Sequence, residues 1–352
     1  MARRLFAHVG CPKTGTSYLQ SIVWNNAEAL VGAGYAVPAT PRHHFRAAIH
    51  VIEEESTFPD AVTADWRELV DIVRDADCDI LITHELLARA TQEQAQRAVE
   101  AFGADEFHVV ITARDLARQV PAEWQQSVKQ GAVIPFREFV SEVVSHGPAA
   151  EWFWSVQDVA DVARRWGATI PAEHVHIVTC PPRGGADPTL LWRRFAAVLG
   201  VDPDAVDTSH TRTNESLGIV EAELMRRLNG VRSVDPEAAT KDNWYKEKLG
   251  NSILASRSGK EQLASPAAIH DWARATSREL VLRLARQKDD VAGELEDLVP
   301  PKELAAGADP AEVPEHLLLT AAVETIVELM DSHHTAVRTI ARLRSRQKAR
   351  KT

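Results

Sequence analysis

The first half of the chain alternates short apolar runs with segments of helical spacing, and this alternation constrains the fold more than any other feature. Apolar runs typical of buried strands lie at 4–9, 35–37, 79–83, 107–113 and 174–179. Amphipathic segments lie between them at 16–31, 60–75, 92–102, 115–130 and 156–166. Strands that alternate with helices form a parallel sheet, because the returning helices cover both of its faces. The sequence therefore predicts an α/β, three-layer fold with a central parallel sheet flanked by helices.

The second half of the chain shows no convincing strand pattern. Helices are predicted at 188–199, 215–229, 266–287 and 316–346. Residues 289–315 hold nine acids, one base and four prolines, which predicts an acidic loop or linker. We expect an α/β cofactor-binding core over 1–230. The helical region over 231–352 would then build an acceptor pocket, a lid or a packing extension.

Composition excludes several classes of protein. The chain has 352 residues, of which 45% are apolar and 26% charged, and its net charge is −10. This is an ordinary globular composition, and no apolar run approaches the ~20 residues of a membrane-spanning helix. A net negative chain is not expected to coat nucleic acid. We therefore expect a small-molecule partner held in a local basic pocket; the oligomeric state stays open.

The cysteines bear on the compartment. Cys11, Cys78 and Cys180 are odd in number and far apart, and they match neither a disulfide framework nor a zinc motif. This suits a reducing compartment. The apolar run at 4–9 is too short for a secretion signal. We therefore expect a cytoplasmic protein. The histidines do not recur at metal-ligand spacing either, so no metal is predicted.

The segment 10–19, Gly-Cys-Pro-Lys-Thr-Gly-Thr-Ser-Tyr-Leu, joins the first predicted strand to the first predicted helix. Amides and the dipole at a helix N-terminus favour an anion there. Gly15 permits close backbone approach, Lys13 adds a positive charge, and hydroxyl side chains follow. The segment predicts a phosphate site. It is not a Walker A loop, because Lys13 precedes Gly15 instead of following the last glycine. The plain alternative is a turn in which a hydroxyl caps the helix.

The run Pro-Lys-Thr-Gly-Thr-Ser at 12–17 resembles the 5′-phosphosulfate loop of sulfotransferases that use PAPS (3′-phosphoadenosine 5′-phosphosulfate). In that family the loop lysine contacts the bridging oxygen of the leaving phosphate, and loop hydroxyls and amides hold the phosphate. The resemblance implies a P-loop-like sulfotransferase fold with PAPS as co-substrate and no metal. It gives Lys13 the role of charge stabiliser and acid-like group. The loop residues that it implies for cofactor binding are Pro12, Lys13, Thr14, Gly15, Thr16 and Ser17.

A second feature is Arg114, which follows the predicted strand at 107–113. Its planar fork suits a phosphate, although a pairing with a carboxylate is the alternative, and Asp115 most simply caps the next helix. Sulfotransferases place an arginine here and a serine eight residues later, and both hold the 3′-phosphate. By resemblance Arg114 fits this role. The serine position is Ala122, so one expected ligand is missing.

A third feature, His84-Glu85, follows the predicted strand at 79–83. An acceptor hydroxyl or amine loses a proton as it attacks sulfur, so a general base is needed beside the cofactor. Cytosolic sulfotransferases have a histidine in this region, and Golgi-type heparan enzymes have a glutamate. Adjacent residues at a strand end point in opposite directions, so we expect one of the two to face the substrate, with a slight preference for Glu85. Alternatively, Glu85 starts the next helix and His84 only packs.

Three weaker candidates lie later in the chain. Asn214 precedes a predicted helix, where it is either a cap or, by resemblance to bacterial sulfotransferase-like sequences, a cofactor contact. Arg257 and Lys260 flank Gly259, and many sulfotransferases close the 3′-phosphate site with a late basic loop that contains glycine. The stretch Arg257-Ser258-Gly259-Lys260 does not match the Arg-Lys-Gly pattern of the cytosolic enzymes.

These features together predict a bacterial, PAPS-dependent sulfotransferase. It would move a sulfuryl group to a hydroxyl or amine of a small-molecule or carbohydrate-like acceptor and release 3′-phosphoadenosine 5′-phosphate (PAP). Two alternatives stay open. One is a P-loop-type kinase that uses ATP and magnesium, which the position of Lys13 disfavours. The other is a degenerate, non-catalytic nucleotide-binding protein, which Ala122 favours.

Overall fold

The computed structural model describes residues 3–53, 59–182, 184–209, 216–231, 245–303 and 307–349. The chain divides into two compact units, each made of three stretches of sequence. The first unit comprises Met1–Val120, Ser141–Asn214 and Ala267–Ala305. The second comprises Pro121–Val140, Glu215–Pro266 and Ala306–Thr352. The two units thus alternate along the sequence, and the predicted boundary near residue 230 stays a prediction.

The first unit contains a parallel sheet that, within the described residues, has six strands. They are β1 (Arg4–Gly10), β2 (Tyr35–Ala36), β3 (Asp79–Thr83), β4 (Glu106–Ala113), β5 (Val175–Thr179) and β6 (Asp290–Ala292). Their spatial order is β2-β3-β1-β4-β5-β6, and every neighbouring pair is parallel. The predicted α/β fold with a central parallel sheet is confirmed. Chain order reverses around β1, which is where ligands bind in open sheets of this kind.

Helices account for most of the remaining described residues. The first seven are α1 (Thr16–Asn25), α2 (Ala27–Gly32), α3 (Pro41–Ile52), α4 (Asp60–Asp75), α5 (Gln92–Phe102), α6 (Leu116–Lys129) and α7 (Phe136–Ser145). The next six are α8 (Glu151–Gln157), α9 (Val159–Trp166), α10 (Leu190–Leu199), α11 (Ile219–Val231), α12 (His270–Gln287) and α13 (Glu315–Ala349). A π-helical segment spans Tyr245–Leu254, and a 3₁₀ helix at Glu85–Arg89 follows β3.

Both faces of the sheet are covered by helices, because successive residues of each buried strand point to opposite faces. On one face Phe6 of β1 packs in a cluster with Leu19 of α1 and Phe195 of α10. On the other, Phe107 of β4 contacts the rings of Phe102 and Trp166 from α5 and α9. The apolar runs seen in the sequence are therefore the buried strands of a three-layer unit.

The second unit is helical in its described part. In α11 the carboxylate of Glu223 is buried and accepts from Arg226 and Arg227. The amide nitrogen of Asn229 donates to the carbonyl oxygens of Val128 and Ala132. These contacts join α11 to the end of α6 and to the turn that follows it.

One prediction for the acidic segment at 289–315 is wrong. Residues 290–292 form strand β6, in register with His176–Val178 of β5, and Leu295–Leu298 forms a 3₁₀ helix. The segment therefore begins inside the first unit. Asp290, the first residue of β6, is largely exposed, as suits a charged residue on an edge strand. No helix in the described part of the chain is long and apolar enough to cross a membrane.

Candidate anion-binding site at the carboxyl edge of the sheet

The phosphate loop, defined here as residues 11–15, connects β1 to α1. Its last residue, Gly15, is the N-cap of α1 and has a φ of 87°, in the left-handed region that favours glycine. Gly15 supplies no side-chain cap, and the first turn of α1 contains no acidic residue. The proposed alternative of a hydroxyl cap is therefore not what the structure has. The positive end of α1 meets no acid of its own, which suits an anion.

Buried polar groups hold this loop against β4 and β5. The Cys11 amide donates to Thr112 O at 2.7 Å, and the Thr14 hydroxyl donates to Cys11 O at 2.5 Å. The Cys180 thiol donates to Thr14 O at 2.9 Å. Burial raises the pKa of Cys180 to about 11, so the group keeps its proton at neutral pH. The loop backbone is thus fixed before any ligand arrives.

Arg114 is tied to the phosphate loop through two buried amides. Its Nε donates to Gln119 Oε1 at 2.8 Å, and its Nη2 donates to Arg118 O at 3.1 Å. The Gln119 side-chain nitrogen donates in turn to Pro12 O at 3.0 Å and to Gln157 Oε1 at 2.6 Å. Gln157 also donates to Pro12 O, at 3.1 Å. The guanidinium of Arg114 is therefore oriented beside the loop, where it can bind an anion.

Glu85 lies against the start of the phosphate loop. A Cβ placed on Gly10 would come within 3.1 Å of both Cα and Cβ of Glu85. The Oε2 atom of Glu85 accepts a hydrogen bond from Nε2 of Gln20 in α1 at 2.9 Å. Burial by itself would raise the pKa of Glu85, but His84, the residue's own backbone amide and Gln20 outweigh it. The pKa of Glu85 is therefore lowered, and the carboxylate is ionised at neutral pH.

His84 has its Nδ1 lone pair occupied. This atom accepts from the Leu86 amide at 3.2 Å and so caps the 3₁₀ helix that begins at Glu85. In the neutral ring the proton then resides on Nε2. Burial lowers the pKa of His84, which keeps the ring neutral. His84 therefore offers a hydrogen-bond donor at Nε2, and its only basic nitrogen is already used.

A chain of hydrogen bonds runs from Glu85 to the phosphate loop beneath the site. Gln20 bridges Glu85 and the Thr83 hydroxyl, and Thr83 Oγ1 lies 2.8 Å from His8 Nδ1. His8 Nε2 is 3.4 Å from Thr112 Oγ1, which lies 2.5 Å from Thr14 Oγ1.

Only one set of donors satisfies this chain. Because the Thr14 proton goes to Cys11 O, Thr112 donates to Thr14, and the proton of neutral His8 lies on Nε2. Burial lowers the pKa of His8 to about 4, which agrees with a neutral ring. His8 is thus a fixed link between the carboxylate and the loop.

The structure brings together most of the predicted site residues. Pro12 to Ser17, His84, Glu85 and Arg114 all belong to the first unit, at the carboxyl ends of β1, β3 and β4. Arg257 belongs to the second unit and pairs with Glu221 and Glu324. Lys260, also in the second unit, donates to the carbonyl oxygens of Ser216 and Ala255. Ala122 lies on α6 in the second unit, and Asn214 falls outside the described residues.

Sequence reasoning missed the residues that support the site: His8, Gln20, Thr112, Gln119 and Gln157. The available signal was polar residues inside apolar segments, such as His8 in the first strand and Gln119 early in α6. A buried polar side chain needs a partner. Such positions therefore indicate a hydrogen-bonded network even before its members are known.

Gly10 allows a test of how tightly Glu85 packs on the loop. Gly10→Ala is expected to lower the free energy of unfolding by more than the about 1–3 kcal/mol that a strained backbone position costs, because its φ of 100° is combined with the Glu85 backbone at 3.1 Å. Gly34→Ala is the matched control, since Gly34 has a φ of 90° and open space around it. Urea denaturation measures both. Equal losses would contradict close packing of Glu85 on Gly10.

The fold and the site define an α/β protein with a candidate anion-binding loop at the carboxyl edge of a parallel sheet. Among solved structures, the chain is similar to a sulfotransferase from Alicyclobacillus acidocaldarius, with 22% identity and a TM-score of 0.39. The match covers 68% of this chain and 97% of the other. No family model matches the sequence, and no curated protein matches it. At this level of similarity the activity has to be inferred from the site itself.

Proposed function

We propose that this chain is an enzyme that transfers a sulfuryl group from PAPS to a hydroxyl or amine of a small-molecule or carbohydrate-like acceptor. The observation that carries the proposal is that Glu85, whose carboxylate is ionised, packs through its backbone and Cβ against Gly10 at the start of the phosphate loop. An anion-binding loop alone serves many reactions. A loop with a base directly beside it suits a transfer in which the acceptor must lose a proton.

The loop would hold the 5′-phosphate end of PAPS, the donor of the sulfuryl group. Transfer breaks the bond between sulfur and the phosphate oxygen, and negative charge develops on that oxygen. Lys13, which has a φ of 62° and is half-buried, would neutralise this charge together with the amides at the start of α1. The hydroxyls of Thr16 and Ser17 would complete the cradle, whereas the Thr14 hydroxyl, whose proton goes to Cys11 O, would hold the loop itself in place. Because the loop is held in advance by β4 and β5, its donors need no rearrangement when charge appears.

Glu85 would accept the proton of the acceptor hydroxyl or amine. The sequence left His84 and Glu85 as alternatives, and the hydrogen bonds favour Glu85. Its carboxylate is ionised, whereas the Nδ1 of His84 already accepts from Leu86. His84 Nε2–H could instead donate to the acceptor or to a sulfuryl oxygen. Gln20 orients the Glu85 carboxylate by donating to its Oε2 atom.

Arg114 would bind the 3′-phosphate, which distinguishes PAPS from ordinary adenine nucleotides. Its contacts with Gln119 and Arg118 O are to neutral acceptors and preserve its positive charge. Asn214, Arg257 and Lys260 remain proposed contributors to the same phosphate. For Arg257 this role would require its pairs with Glu221 and Glu324 to open or to be shared.

The kinase alternative would need a free aspartate at a strand end near the loop to hold magnesium. Asp115 follows β4, but it accepts from the Arg118 amide at 3.0 Å and pairs with the Arg118 guanidinium. This agrees with the cap predicted for Asp115 and leaves it neutralised. The sulfotransferase proposal is therefore the better supported of the two.

A melting experiment with three ligands tests the proposal. With PAP at about 100 times its dissociation constant, binding adds roughly 2.7 kcal/mol, and Tm should rise by about 2–4 °C for a chain of this size. ADP and ATP–magnesium serve as controls, and Arg114→Ala should remove the preference for PAP over ADP. A rise with ATP–magnesium alone would favour a kinase. No rise with any of the three would favour a chain that binds no nucleotide.

A further inference from the structure

Five polar side chains meet at the amino edge of the sheet, the edge opposite to the proposed active site. Glu106 and His108 belong to β4, His174 precedes β5, His176 belongs to β5, and Asp290 begins β6. We call this group the edge cluster. All five residues lie in the first unit. The proposed sulfotransferase mechanism uses none of them.

The hydrogen bonds of the edge cluster run in one direction. Asp290 Oδ2 lies 2.8 Å from His176 Nδ1, and a carboxylate can only accept, so His176 donates from Nδ1. In a neutral His176 ring, Nε2 is then an acceptor. It lies 3.0 Å from His108 Nδ1, which must donate. The remaining nitrogen of a neutral His108, Nε2, therefore carries a lone pair.

This lone pair faces another acceptor. His108 Nε2 lies 3.5 Å from Glu106 Oε2, and neither atom has a proton to share. The His108 side chain is buried, while Glu106 is half exposed, so the pair is open to solvent on one side. The His174 ring contacts the His108 ring at a centroid distance of 4.1 Å, with an angle of 30° between the ring planes. One ligand atom from each of Glu106, His108 and His174 lies within 4.8 Å of the other two.

A cation between these three atoms would satisfy all of them. We propose that Glu106, His108 and His174 bind a divalent transition-metal ion of the zinc class. Two imidazoles and a carboxylate are a ligand set that zinc uses when it keeps water as a fourth ligand, and the exposed side of the cluster admits water. His176 and Asp290 would orient His108 from behind, as outer hydrogen-bond partners do in metal sites. The ion would join β4 to the segment that leads into β5.

A second group of this composition lies in the same unit and serves as a comparison. His43, Asp65 and Glu68 also bring their ligand atoms within 4.8 Å of one another. There, however, Arg46 Nη1 lies 2.6 Å from Asp65 Oδ2 and already supplies a positive charge. The two groups therefore differ in their need for a cation, and His43 provides a matched control.

Titration calorimetry with zinc chloride on the full chain, after removal of metal by a chelator and dialysis, tests the site. Wild type should bind one zinc ion per chain. Glu106→Gln and His174→Ala should each weaken binding by about tenfold or more. His43→Ala should bind as wild type does. Glu106→Gln is at an exposed position and conserves shape, so it reports on binding without a change in packing.

Cobalt gives an independent readout of the ligands. With Co²⁺ bound in place of zinc, visible absorption bands of a four-coordinate site should appear in wild type and in His43→Ala, and should be lost in His174→Ala. Absence of zinc binding to wild type would overturn the proposal and would mean that a proton fills the gap between His108 and Glu106. Equal affinity in wild type, Glu106→Gln and His174→Ala would overturn it as well, because the metal would then bind elsewhere.

Discussion

Lys13→Ala is expected to lower kcat for sulfuryl transfer from PAPS by about 10²–10³-fold, the usual loss when one preorganised donor to a developing oxyanion is removed. The charge on the departing phosphate oxygen grows in the transition state, so the Lys13 ammonium should stabilise that state more than the bound substrate. The KM for PAPS should therefore change less than kcat does. Initial rates over a range of PAPS concentrations measure both.

The chain offers a close control for this substitution. Lys288 is also a lysine in the left-handed region, with a φ of 61° against 62° for Lys13, and it is exposed at the end of α12. Lys288→Ala therefore makes the same side-chain change at the same kind of backbone position. It should leave kcat unchanged. If Lys13→Ala retained the wild-type kcat, Lys13 would not be the charge stabiliser, whatever its effect on binding.

Glu85→Gln is expected to lower kcat by about 10²–10⁴-fold, the range that a positioned general base contributes. The amide retains the shape of the carboxylate but cannot accept the proton. The variant should still bind PAP, because the phosphate loop is unchanged, and the Tm rise with PAP verifies this. His84→Asn is the companion variant, since an asparagine oxygen can still accept from the Leu86 amide. It should lose far less rate than Glu85→Gln.

The pH dependence separates the two assignments. The pKa of Glu85 is lowered, so the carboxylate is ionised at every pH above the ordinary pKa range of a glutamate side chain. Glu85 stops acting as a base only when the pH falls through that lowered pKa. The rate of the wild type should therefore be independent of pH around neutral pH. A histidine base would instead give a rate that rises with pH through the lowered pKa of His84. A larger loss in His84→Asn than in Glu85→Gln would reverse the assignment.

Much of the fold could be predicted because its strands are buried on both faces. The run at 107–113 is apolar apart from His108 and Thr112, and it forms all but the first residue of β4. The run at 79–83 coincides with β3. Strand β6 could not be predicted in this way. It has three residues, begins with Asp290 and lies at an edge, so neither burial nor periodicity marks it. Its pairing with β5 depends on a partner more than 100 positions away in the sequence.

The candidate site divides in the same manner. Residues 12–17 were predicted to bind phosphate because their hydrogen-bond donors are consecutive in the sequence. The strand before them, the turn at Gly15 and the helix after them point these donors in one direction. The choice between His84 and Glu85 needed the structure, since it depends on the Leu86 amide and on Gln20. The role of Gln119 also needed it, because Pro12 is 107 positions away.

The sequence by itself thus determined the features that depend on neighbours along the chain: the buried strands, the helices between them other than α3, α7 and α8, and the amide-rich turn that carries Lys13. Only the tertiary structure decided which distant polar groups meet. His8 lies between Thr83 and Thr112, and His108 meets His176, because β1, β3, β4 and β5 are adjacent in a particular register. That register is set by packing on both faces of the sheet, and local periodicity carries no record of it.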